Sequence, residues 1–301
     1  MTSNQSHKAV VFGSISIDKI VNKYGTFSNV LGGSAAYALL ANIKNTCELV
    51  GVVGNDFQQK HFNLLSEHSI STNSLTKLDG NTFCWGGEYK DNFSSRKTLY
   101  VNPGVSEFYI PDLSKDSKNC PYLLLGNTAP HLQIELLNQM QNNPFTLLDT
   151  FKLYIDTANK ELKALLKRVD LFCINFNEAR AISGMDGENL SNMAKFILDL
   201  GPKSLIIKDG ENGSHFFDYE KNFSISAFPV NKVMDTTGAG DAYIGGLLMG
   251  KMNGKNIIES MKIGAVTASF CIEGVGIDGL LKINDIEFLK RLQWMNSHHT
   301  S

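Results

Sequence analysis

Short apolar runs and longer amphipathic stretches alternate along the second half of the chain. Residues 122–126, 145–149, 169–174 and 205–208 are the runs, and the stretches at 132–142, 158–168 and 190–200 repeat their apolar positions at helical spacing. Strands alternating with helices predict an α/β fold, a doubly wound and mostly parallel sheet flanked by helices. The same pattern opens the chain, with a run at 9–13 closed by Gly13, a second at 48–54 and a helical stretch at 56–69. One region breaks it. Residues 81–85 and 95–101 flank Lys90-Asp91-Asn92, a strong turn signal, and predict a β-hairpin inserted between α/β units. No internal repeat, low-complexity tract or linker divides the chain, so one main domain is expected.

A different pattern appears late. Asp235-Thr236-Thr237-Gly238-Ala239-Gly240-Asp241 leads straight into the small, apolar run 242–249, with Gly250 and Gly254 beyond as stops. This predicts a loop opening into a buried helix. Glycines at such a junction let backbone N–H groups face a ligand. The helix start adds unsatisfied donors and the positive end of the dipole, which suits an anion. Asp241, among those donors, is either an N-terminal cap or a general base beside a bound phosphate. A second carboxylate, Asp235, and the glycines between the two acids favour chemistry. Neither familiar phosphate loop fits. There is no Gly-Lys-Ser/Thr ending of a Walker loop. Gly238-x-Gly240 is followed by Tyr243 where a third glycine is wanted, and it comes late, whereas a dinucleotide fingerprint follows an early strand. A Rossmann oxidoreductase is therefore disfavoured.

Other candidates fall at predicted strand ends, where ligands of open α/β sheets gather. Asp18 follows the first strand and either accepts hydrogen bonds from substrate hydroxyls or bonds its own turn. Gly32-Gly33 opens a helix of small residues, for close packing or for backbone contact with a polyol. Asn127 and Asp149 each follow a strand, as substrate-side residues or turn caps. Glu178 follows the strand at 169–174, as a metal ligand or as a first-turn acid favoured by the dipole. Arg96, in the hairpin, is either solvated or in contact with an anionic substrate group.

Composition narrows the class. The 301 residues are 43% hydrophobic and 19% charged, ample for the core of one large α/β domain. A formal net charge of −2 gives no electrostatic footprint for nucleic acid. The 5 cysteines lie mostly in apolar runs without paired metal spacing and read as reduced core residues. No apolar run approaches the ~20 residues of a membrane span, and residues 1–7 lack a signal-peptide core. A soluble, cytoplasmic protein is expected.

The stretch 235–241 resembles the C-terminal signature of the ribokinase-like (PfkB) carbohydrate kinases, and the likeness covers residues 8–290. It implies ATP-dependent phosphorylation of a hydroxyl on a small sugar or sugar-like substrate. Asp241 would be the general base, and the amides of Gly238, Ala239 and Gly240 the anion hole. Asp18, Gly32 and Gly33 would bind the acceptor, with Asn127 and Arg96 beside them. Asn175-Phe176-Asn177-Glu178 resembles the family's Asn-x-x-Glu motif, which organises magnesium, so Glu178 is taken as a metal acid together with Asp235. Lys208, Gly210 and Gly213 match the nucleotide-side loop, and the region after residue 256 would line the adenine pocket and, in some members, a monovalent-cation site. Segments 15–30 and 81–102 would form a small β-sheet lid, with a homodimer expected through the lids. Tyr37 departs from the Asn of ribokinase at that position. Within the fold the alternatives are a nucleoside kinase and a non-catalytic sugar-sensing paralogue.

Overall fold

The computed structural model describes residues 8–43, 45–90, 93, 95–185 and 189–298. Residues 1–7 and the Asp91-Asn92 of the expected hairpin turn lie outside the described residues. The elements run β1 (Ala9–Phe12), β2 (Ser16–Asn22), β3 (Gly25–Gly32), α1 (Ser34–Ala41), β4 (Cys47–Val53), α2 (Gln59–Glu67), β5 (Ile70–Lys77), β6 (Cys84–Tyr89), β7 (Arg96–Asn102), β8 (Tyr122–Leu125), α3 (Pro130–Gln139), β9 (Phe145–Leu148), α4 (Lys152–Thr157), α5 (Asn159–Leu166), β10 (Leu171–Asn175), α6 (Phe176–Ser183), α7 (Leu190–Leu198), β11 (Ser204–Lys208), β12 (Ser214–Phe217), β13 (Asn222–Ile225), α8 (Ala239–Met252), α9 (Ile257–Ile272), α10 (Asp278–Leu281) and α11 (Asp285–Ser297).

The apolar runs lie side by side. Among the described residues the main sheet has the order β13-β12-β11-β10-β9-β8-β1-β4-β5. It is parallel from β11 to β5, and β12 and β13 add an antiparallel edge. Alternate residues of β1 explain the layering: Ala9 and Val11 belong to one core, Val10 and Phe12 to the other. A strand apolar on both faces must be covered on both, which is why parallel sheets carry helices on each side. Helices α1, α8 and α9 pack into the first core, and α3, α5 and α7 into the second. Strand order reverses at β1, with β4 on one side and β8 on the other. The crevice beyond the carboxyl ends of β1 and β8 is thus the expected ligand site.

Helix α8 approaches its neighbours more closely than side chains allow. A Cβ on Gly245 would fall 2.1 Å from the Ala38 carbonyl oxygen of α1, and one on Gly246 2.2 Å from the Thr267 hydroxyl of α9. Its small residues therefore fix the depth at which the helix start sits beneath the crevice.

The remaining strands form a second sheet, ordered β3-β2-β6-β7. It joins the segment after β1 to the inserted hairpin, with β2 and β6 parallel and both outer pairs antiparallel. Strand β6 starts at Cys84, not at residue 81 as the apolar pattern predicts. The cause is Thr82: its N–H and hydroxyl both donate to Asp56 Oδ1 (2.7 and 2.6 Å), and its hydroxyl accepts from Gly54 N–H (3.0 Å). These bonds pin residues 81–83 to the main domain. Strand β5 escapes the sequence pattern because Ile70–Lys77 is rich in Ser and Thr and, among the described residues, is an edge strand paired with β4 alone.

Candidate active site

Gly238 caps α8 in the left-handed region (φ 73°). A Cβ there would lie 2.2 Å from the Tyr37 ring, so the loop rests on the face of that tyrosine. The first α-helical bond runs from Ala242 N–H to Gly238 O (2.8 Å). The amides of Gly240 and Asp241 therefore have no partner within the helix, that of Asp241 bonding its own carboxylate, while Ala239 N–H is engaged at 3.3 Å by Thr236 O. Asp235 braces the loop from beneath. Its Oδ1 accepts from Thr237 N–H (2.9 Å) and Thr237 Oγ1 (2.7 Å), and its Oδ2 from Gly276 N–H (2.9 Å). Because the Thr237 hydroxyl donates to Asp235, it accepts from the Tyr89 hydroxyl, 2.8 Å away. The second sheet is thereby tied to the glycine loop through β6. Asp235 is buried with both oxygens bonded to the chain itself.

Those acids surround Lys208. Its Nζ lies 3.7 Å from Asp149 Oδ1, both groups largely buried. A Cβ on Gly240 would come within 3.1 Å of the same ammonium, so the glycine makes room for a cation at the helix start. Glu178 sits in a capping box: its Oε2 accepts from Asn175 N–H and Asn175 Oδ1 accepts from Glu178 N–H, each at 2.9 Å. Burial pushes the Asp241 carboxyl up to about 7, with Asp149 adding to the rise and Lys208 and Arg96 opposing it. Burial and Asp149 push Glu178 up to about 7 as well, against Lys208. Asp149 is raised by burial against the pull of Lys208. Burial alone would lower Lys208, but Asp149 first, then Cys173, Glu178 and Asp241, turn it upward.

Three acids thus stand around one ammonium. Among the described residues no three His, Cys, Asp or Glu side chains could hold a metal by themselves. Magnesium asks for less, taking one or two carboxylates with substrate phosphates and water. Glu178 fits that demand. Gly210 (φ 56°) lies open, whereas a Cβ on Gly213 would strike Ile225 O at 2.1 Å, so Gly213 also serves the β12–β13 packing.

On the other side of Asp241 lies a cavity of about 310 Å³ that contains Asp18, Gly33, Arg96, Asn127, Gly238 and Asp241 in its lining. Asp18 accepts from Trp85 N–H at 3.3 Å. Burial raises its carboxyl to about 7 against the Ser16 hydroxyl and the Trp85 amide. Gly32 makes space for it, since a Cβ there would lie 2.1 Å from Asp18 Oδ2. Gly33 starts α1 at φ 93°. The Arg96 guanidinium lies over the Trp85 ring (4.9 Å) and near Phe151 (5.7 Å).

The fold therefore brings six of the sequence candidates into one cavity, and places Glu178 and Lys208 with Asp149 at its inner side. Sequence reasoning put Asp149 on the substrate side; here it pairs with Lys208. It also missed Tyr89 and Phe151. An aromatic two residues after a strand-end acid, as in Asp149-Thr150-Phe151, is the signal that could have found the second of these.

The sequence profile of the pfkB family carbohydrate kinases matches residues 6–282. The cytidine kinase of Thermococcus kodakarensis is 27% identical over 264 residues, covering 85% of this chain and 92% of its own. A nucleoside kinase of Burkholderia thailandensis, solved in complex with inosine, superposes with a TM-score of 0.79 at 18% identity, over 97% of this chain and 100% of its own. Ribokinase of Arabidopsis thaliana, complexed with ribose and ATP, gives 0.77 at 22% identity, over 96% and 99%. The profile match covers nearly the whole chain, and this chain belongs to the pfkB family of carbohydrate kinases, phosphotransferases that act on hydroxyl groups.

Proposed function

We propose that the chain transfers the γ-phosphoryl group of ATP to a hydroxyl on the sugar ring of a small acceptor. The carrying observation is Asp241: it faces the acceptor cavity at the start of α8, and its carboxyl is raised to about 7 by burial and Asp149. A base poised near the working pH is the arrangement that proton transfer favours. Asp18 and the Gly33 backbone hold the acceptor, with Asn127 and Arg96 along the wall. The acceptor hydroxyl gives its proton to Asp241 as its oxygen bonds the γ-phosphorus, and the bond to the leaving ADP oxygen breaks. The first-turn amides of α8 and the Lys208 ammonium stabilise the charge on the phosphoryl group in flight. Magnesium, when bound, would neutralise phosphate charge, and Glu178 would hold it. Asp235 we leave to bracing the loop.

ATP dependence and the free cysteines, four of them buried, fit a reducing cytoplasm. No helix among the described residues is long and apolar enough to cross a membrane. The lid offers a pairing surface for a homodimer. The test of the activity is ADP release from MgATP with and without an acceptor panel of sugars, sugar acids and nucleosides, with phosphorus NMR of the product. Acceptor-dependent ADP release and a new phosphomonoester are expected. ADP release that no acceptor accelerates would sink the kinase reading.

A further inference from the structure

The acceptor cavity changes character from floor to mouth. Its floor is polar and closed, with Asp18, Ser34 and Thr237 buried. Its outer wall is apolar: Phe83, Trp85, Val101, Leu132, Phe151 and Leu153 all line it, and Val101 (55% exposed) and Leu153 (53%) stand open at the rim. A bare sugar needs only the floor and would leave that wall facing water. Two of its aromatic side chains turn their faces to the same space: the Arg96 guanidinium lies 4.9 Å from the centre of the Trp85 ring and 5.7 Å from that of Phe151.

Resting on the kinase reading, we propose that the acceptor is a nucleoside, its ribose on Asp18 and Asp241 and its base stacked against the Trp85 and Phe151 faces. Arg96 then turns its N–H groups to the acceptors on the base edge. Stacking of this kind tolerates any base, because each has a π-face. A sugar acid paired with Arg96 is the rival. The field of Arg96 already falls on Asp18 and Asp241, where it opposes the rise that burial causes. A carboxylate on the acceptor would be a third negative charge in a cavity that must also meet a triphosphate. The cavity of about 310 Å³ lies at the small end of the range for ligands of drug-like size.

The test is calorimetric titration of the whole chain, without ATP, with cytidine, uridine, adenosine, inosine, ribose and gluconate. MgATP turnover on the same panel follows. At least one nucleoside should bind, with kcat/KM above that of ribose and gluconate by about 10- to 100-fold, the range that base stacking supplies. Trp85→Leu keeps the backbone N–H that Asp18 accepts, and it should shrink the nucleoside-to-ribose ratio about 10-fold; Phe151→Leu should do the same should the first variant not fold. Ribose or gluconate matching the best nucleoside, or no nucleoside binding at millimolar concentration, overturns the inference. A nucleoside that binds but is never phosphorylated upholds it and removes the kinase reading instead.

Discussion

At the start of α8 each functional group is fixed from several sides. Gly238 rests on Tyr37, Asp235 braces Thr237 and Gly276, and Gly245 and Gly246 seat the helix against α1 and α9 at distances no side chain permits. Under the lid the reverse holds. Every residue of β7 is exposed, and Arg96 is held by ring faces and the Tyr89 hydroxyl where Lys208 has a carboxylate partner. The inner end has little freedom to move and carries the charges that phosphoryl transfer requires. The outer end can be resurfaced without disturbing them. That division places reaction type in the buried half and acceptor choice in the exposed half. Mutations should separate along it.

The largest effect is expected at the inner end. Asp241→Asn keeps the size and first-turn position of the side chain but cannot take a proton, so turnover should fall about 10²–10⁴-fold. MgATP binding and the melting temperature should stay close to wild type. Near-normal turnover in a folded variant would reduce Asp241 to a cap and dissolve the division.

Proton linkage sharpens the same point. The carboxyls of Asp18, Glu178 and Asp241 stand at about 7 in the fold, against ordinary values of 3.8, 4.5 and 3.8. Between those limits the folded chain binds more protons than the unfolded one, so stability falls as pH rises from about 4 to about 7. Activity runs the other way, since the base works only when deprotonated. kcat/KM should therefore rise through about pH 7 while the melting temperature of the ligand-free protein declines. Asp149, Glu178 and Asp241 interact, so the kinetic limb belongs to the cluster and not to one residue. A melting temperature that climbs from pH 5 to 8 would contradict the raised carboxyls.

Legibility follows the same division. The glycine loop could be read because its constraint is local: Gly238 at positive φ and the acids flanking the loop are neighbours in sequence. Strands β8 to β11 were legible because both faces are buried, which leaves an unbroken apolar run. The hidden parts depend on residues far apart in the chain. Asp149 and Lys208 meet only because β9 and β11 flank β10 in the sheet. Tyr89 reaches Thr237, and Arg96 reaches Phe151, only once the lid has folded over the crevice. Asp235 shows the opposite hazard, a signature acid whose oxygens the fold uses internally.

A smaller effect is expected from Asp18→Ala, at the border of the two halves. Asp18 joins β2 to Trp85 and faces the acceptor cavity. Loss of its carboxylate strands buried acceptor hydroxyls, a cost of about 1–3 kcal/mol or roughly 10- to 100-fold in acceptor KM. The KM for ATP should stay within about twofold. A rise in the ATP value with the acceptor spared would put Asp18 at the wrong end of the cleft.

The smallest effect concerns the outer face of the lid, where no chemistry is at stake. Trp85 and Val101 turn toward the acceptor cavity, while Ile17, Cys84 and Tyr100 line a second cleft of about 420 Å³ on the lid. Leu99 (39% exposed) and Tyr100 (41%) stand uncovered along the edge strand β7. Edge strands with exposed apolar residues tend to find another chain, and burying such surface contributes about 25 cal/mol per Å² of apolar area. A second lid, laid against the first, would cover Leu99 and Tyr100 and close the edge. Light scattering at micromolar concentration should then give twice the chain mass of 33.2 kDa. Tyr100→Glu should return the single mass by placing a charge in the contact. Because the inner half owes nothing to the partner, turnover per chain should change less than about threefold, within the scatter of surface substitutions. A wild-type mass of one chain at full activity would show that the lid closes over the acceptor without a second copy.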